Sequence, residues 1–372
     1  MTAFTSTSEL SIKPGQPWLA SGFYDCLLIL SPAFIASILA LTLSRSHMFP
    51  DSESLESMST FAWVILVLMV DVAHVYATLF RTYMDPKARA SNGTLLSVIP
   101  VLCWVGGVLL YAMHPLNFWR ALAYLAVFHF IRQQYGFLML YSRKDNQSKE
   151  FRLLDQITIY LATIYPLIYW HAHLPRHFNW FVEGDFWQLP MAQELNKVAF
   201  VLYVAALVLY ITKEINSTAR NKAINIPRNL LIVGTTLSWW VGIVATNCDL
   251  LFTMTNVLSH GIPYMALVWL YHRRTGKENE SENLSLTQLL LRLAPLFFLF
   301  LVTLAYLEEG LWDGFIWHEH LGLFAPFAGL PQIEDKHLLT LLVPFLALPQ
   351  STHYVLDGFI WRVKDRTSTW SA

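Results

Sequence analysis

The chain has 372 residues, of which 55% are hydrophobic and only 14% charged, with a formal net charge of -1 and a mean hydropathy of +0.42. That composition excludes an ordinary soluble domain, and the absence of a basic stripe interleaved with aromatics excludes a nucleic-acid partner. Cys26, Cys103 and Cys248 lie in or beside apolar segments without CxxC spacing, so neither a disulfide framework nor a cysteine-based zinc site is expected.

A bilayer core takes about 20 apolar residues per helix, and runs of that kind recur about ten times. They fall at 22–43, 60–84, 95–113, 117–141, 155–174, 197–212, 229–246, 249–272, 287–307 and 336–361. An all-α, polytopic integral membrane protein is therefore expected, with a polar tail at 1–21, a single transmembrane helical domain over 22–361 and a second tail at 362–372. Lys13 is the only basic group before the first run and no small-residue cleavage site follows, so that run is expected to remain as a helix rather than leave as a signal peptide. With the N-terminus in the cytoplasm, the loop lysines and arginines gather on the inner side. Only Arg45, Arg120, Arg176, Lys197 and Lys336 fall outside, so both termini are expected in the cytoplasm; the expected location is the inner membrane of a bacterium.

Four of the runs carry a histidine with polar companions on the same helical face. The second has Asp71, His74, Thr78 and Arg81 in one stripe. The fourth has His129 followed by Arg132 and Gln133, with Gly136 leaving space below, and Arg132 is expected to pair with Asp71 or Asp357. The eighth has Asn256 and His260, then Pro263, whose ring frees a carbonyl near residue 259. The tenth has Gln350, His353 and Asp357 after Pro349. Two long outer segments, 175–196 and 308–335, are expected to hold short interfacial helices. His171, His173, His177, His318 and His320 belong to that outer side, with no role assigned.

All four histidine-bearing runs cross in the same direction, so residue counts convert into depth at about 1.5 Å per residue, and one polar layer fits them all. Ionisable groups at that depth are costly and mark function. His74, His129, His260 and His353 are the expected metal ligands. Asp71, Arg132 and Asp357 are expected to orient ligands, move protons or balance charge, and Gln133, Asn256 and Gln350 to stand beside the cofactor. Imidazole with carboxylate suits non-haem iron, with haem b, copper and zinc as alternatives.

A site inside the bilayer meets substrates that partition there, such as carotenoids, quinones, acyl chains or sterols. The expected function is a metal-dependent oxidoreductase acting on such a lipophilic substrate, with no motif specifying a redox partner. Two alternatives use the same residues: a b-type haem or quinone-linked electron-transfer protein, and a proton- or metal-coupled transporter.

On His74, His129, His260 and His353 the chain resembles the integral-membrane polyhistidine iron oxygenases, in particular the Brp/Blh-type carotene dioxygenases. The resemblance implies a multi-pass protein whose iron is held by four helix-borne histidines. The His-x-x-His-His box of desaturases and alkane hydroxylases does not occur in the chain.

Overall fold

Short polar caps and prolines fix where the helices begin. In the computed structural model, which describes residues 15–45, 58–221, 224–275 and 286–361, Ser21 Oγ accepts the Tyr24 amide to open α1 (Gly22–Arg45). Ser59 does the same for α2 (Thr60–Arg81). Asp85 and Pro86 open α3 (Pro86–Met113), His114 and Pro115 open α4 (Pro115–Tyr141), and Ser148 opens α5 (Lys149–Ala172). These are residues whose side chains satisfy free amides or whose ring needs none. There follow α6 (Ala192–Asn221), α7 (Ile226–Ala245), α8 (Asp249–Thr275), α9 (Leu286–Arg292), α10 (Ala294–Trp317), α11 (Lys336–Leu346) and α12 (Leu348–Ile360). No strand occurs among the described residues. Lys13, most of the N-terminal tail, the linker 276–285 and the tail 362–372 lie outside the described residues.

Six of these helices, α1, α2, α3, α6, α7 and α10, are long and apolar enough to cross a membrane, and α11 with α12, bent by 43°, would make a seventh. Large apolar side chains of α3 and α6 face outward, among them Val101, Leu102, Leu109, Val201, Leu202 and Leu209. Such unbroken outward apolar faces suggest a lipid bilayer around the helices. The helices α4, α5 and α8 are as long but more polar, because their inward faces carry hydrogen-bonding groups rather than more apolar packing.

Two expectations for the long segments change. Residues 308–317 continue α10, its last turn widened into a π-helix over Asp313–Trp317, so the loop begins only at residue 318. The segment 175–191 contains no helix. The buried Asp185 carboxylate gathers the amides of Trp180, Phe181 and Val182 instead, while burial pushes that carboxyl above its ordinary range against the pull of these donors. Phe178 and Phe186 then pack on Trp170.

At the opposite end of α5, a buried ion network ties three helices and a loop. Asp155 pairs with Lys213, and Arg228 meets Asp145 and Glu214, each at 2.5 Å. Ionic groups this enclosed hold only as a complete set, since removing one partner strands the others.

The arrangement of α2, α4, α8 and α12 positions the site. A Cβ on Gly261 would stand 2.8 Å from Val70 Cγ1 and 3.0 Å from the Val70 carbonyl. Only glycine lets α8 approach α2 this closely. The turns of α2 just before His74 are widened into a π-helix over Val64–Val72. Such a departure turns the following side chains relative to a regular helix and is frequent at functional sites.

Candidate metal centre

His74, His129, His260 and His353 meet in one enclosed cage, with ligand nitrogens all within 4.8 Å of one another. None is more than 3% exposed. Ring centroids are 4.7 Å apart for His74 and His260, 4.8 Å for His129 and His260, 4.4 Å for His129 and His353, and 5.0 Å for His74 and His353. Phe130 lies flat on the His260 ring at 3.5 Å between centroids and fixes its plane.

The Nε2 atoms face inward. His260 Nε2 stands 3.1 Å from His129 Nε2 and 3.1 Å from His74 Nε2, and His353 Nε2 is buried without a hydrogen-bond partner. The Nδ1 atoms of His74 and His353 hydrogen-bond to protein groups outside the cage. His74 Nδ1 donates to the Val70 carbonyl at 3.2 Å. With Asp357 ionised, Tyr264 donates to its Oδ1 at 2.6 Å, which leaves Thr78 to donate to the Tyr264 hydroxyl at 2.8 Å and His353 Nδ1 to donate to Thr78 Oγ1 at 2.5 Å. That single direction of donation leaves Nε2 of His74 and His353 as lone pairs pointing into the cage. A histidine that gives its other N–H to a carbonyl or hydroxyl is the arrangement that prepares a metal ligand.

Neutral rings alone do not satisfy this geometry. The His260 Nε2 is 3.1 Å from two others, yet has at most one proton to offer. A divalent ion about 2.0–2.1 Å from each nitrogen leaves neighbouring nitrogens about 3 Å or slightly more apart; the two 3.1 Å contacts meet that spacing, and the widest separation in the set, up to 4.8 Å, has to close to about 4 Å for all four to hold one ion.

The other expected site residues divide. Asp71 Oδ1 is 3.8 Å from His74 Nδ1, with 35% of its side chain accessible. Asp357 lies between two rings, 3.7 Å from His129 Nδ1 and 3.8 Å from His353 Nδ1. Gln133 donates to the His260 carbonyl at 2.9 Å, bracing α8 against α4. Asn256 is buried but gives its amide to the Phe252 carbonyl, and neither its Oδ1 nor His260 Nδ1 has a partner. Gln350 is half-buried at the start of α12 and makes no hydrogen bond to the histidines.

Arg132 does not pair with Asp71 or Asp357. Its side chain is exposed toward α5, donates to the Tyr160 hydroxyl at 2.5 Å and lies 4.7 Å from the Tyr135 ring. The physical reason is angular: three residues after His129 it points about 60° away around the helix, and α5 takes up that direction. Arg81 also leaves the cage, lying on the Tyr271 ring at 3.6 Å with Asp85 beside it. The helix α8 runs on through Pro263.

Among the described residues, the histidines at 171, 173, 177, 318 and 320 do not join a metal-ligating group. His171 bonds Tyr124, His173 the Tyr169 carbonyl, His318 the Gly314 carbonyl, and His320 stacks on Trp63. Tyr264 was not singled out by sequence reasoning, although it follows His260 by one turn on the same face. No protein-family model, curated protein or solved structure matches this chain.

Proposed function

We propose that the protein is a membrane-embedded, metal-dependent oxidoreductase acting on a lipophilic substrate, with one non-haem iron held by His74, His129, His260 and His353. The observation that carries this reading is the convergence of four buried imidazoles whose ligand nitrogens lie within 4.8 Å of one another, three of them through Nε2 contacts of 3.1 Å. Bound there, iron would supply redox chemistry toward oxygen and substrate. The protein would supply an enclosed cage, ring orientation through Val70, Thr78 and Phe130, and the Tyr264–Asp357 pair as a place to hold or move a proton beside the cage. The likeness to Brp/Blh-type carotene dioxygenases belongs to the same proposal. Haem b fits less well, because four nitrogens meeting this closely leave no slot for a planar macrocycle.

The reading extends to about ten spans, with α4, α5 and α8 crossing despite their polarity and both termini in the cytoplasm of a bacterium. The 43° bend between α11 and α12 favours one second reading, a metal- or proton-coupled transporter, since broken spans serve transport sites. Cation uptake into sealed vesicles separates it from an enzyme. For the first reading, each of the four His→Ala variants should lose bound metal in elemental analysis, and a colourless or weakly coloured wild type without a Soret band should contain iron. Full metal retention in any variant removes that histidine from the ligand set.

A further inference from the structure

Glu308 lies in α10 with 5% of its surface exposed, and neither of its carboxylate oxygens makes a close hydrogen bond. Tyr76 of α2 and Trp312 are its weaker, longer hydrogen-bond donors, and Asp71 is within electrostatic reach. The helices run antiparallel: Phe80 packs on Phe297 at 5.0 Å near one end, and Trp63 stacks on His320 at 4.6 Å beyond the other. That pairing brings Asp71 near Glu308 and Glu309, and Asp313 follows one turn later. Asp313 is 3% exposed; its Oδ1 accepts the amides of Glu319 and His320 at 2.8 Å, and its Oδ2 has no partner.

Among the described residues, no lysine or arginine forms an ion pair with Asp71, Glu308, Glu309 or Asp313. The Glu308 oxygens and Asp313 Oδ2 are buried with no close donor, and carboxyl oxygens so placed are costly unless a proton or cation joins them. The four acids also have an order. They lead from the 313–335 end of the bundle through Glu309 and Glu308 to Asp71, whose Oδ1 is 3.8 Å from the wholly enclosed His74 ring. An ion reaching that cage must shed its water, and carboxylate oxygens are ligands that can replace it stepwise.

We propose that Glu308, with Asp71, is a carboxylate way station that takes a divalent cation from the 313–335 end of the bundle and hands it to the four imidazoles. This rests on the metal-centre reading above. No oxidation or bond cleavage is involved, only exchange of water for carboxylate oxygen and then of oxygen for nitrogen.

The test follows cobalt(II) binding to the full chain, stripped with chelator in detergent, by the growth of its visible bands after rapid mixing. Each rate constant is normalised to its own end point, so an inactive fraction of a variant does not affect it. Glu308→Gln should load about tenfold or more slowly, because a cleft of one charge sign raises the arrival rate of counter-ions by at least that factor. Its end point should match wild type. Glu194→Gln, at an exposed pair with Lys197 on α6, should load at the wild-type rate. Wild-type loading speed in Glu308→Gln overturns the way station while leaving the metal centre standing. Failure of wild type to take up cobalt at all overturns the four-histidine reading itself.

Discussion

At the residue scale, the chain of donors from His353 through Thr78 and Tyr264 to Asp357 decides which nitrogen of His353 is free. Thr78→Val should leave Nδ1 without an acceptor and lower metal affinity by about 10–100-fold, the usual cost of losing such a partner. Thr78→Ser should restore most of it, as read by competition with a chelator. Equal affinity in Thr78→Val would mean that ring orientation is set by packing alone. The histidines, Asp71 and Asp357 were legible in the sequence because a charged or titratable group in an apolar run is rare. Asn256 shares a helical face with His260, but its amide bonds the Phe252 carbonyl one turn back, as an amide on a helix can. Glu308 was passed over because the expected end of its run made it an outer-loop acid.

At the element scale, apolar runs locate helices well but say little about which neighbour covers each face. The run 95–113 proves to be the latter part of a helix that starts at Pro86, and the run 336–361 proves to be two helices meeting at Ala347. Arg132 shows the limit: its position on α4 could be counted, whereas the presence of α5 beside it could not. The polarity of α4, α5 and α8 has the same origin as the site, since helices that carry the cage and the ion network cannot also be wholly apolar. Their crossing of the bilayer is testable with a cysteine-free background. Asn146→Cys, between α4 and α5, should react with an impermeant maleimide only in opened cells, and Glu183→Cys, between α5 and α6, in intact ones. Labelling of both from the same side would show that α5 does not cross.

For the whole molecule, the fold brings segments from residue 74 to residue 353 to one point, and that convergence is not a property of any single helix. Gly261 lets α2 and α8 touch, Gln133 braces α4 on α8, and Tyr264 with Asp357 joins α8 to α12. X-ray absorption at the metal edge of the loaded, detergent-purified protein measures the result directly. The expected spectrum has four imidazole nitrogens at about 2.0–2.2 Å around a single ion. A site with fewer imidazoles, or metal bound through sulfur or carboxylate oxygen alone, would contradict it.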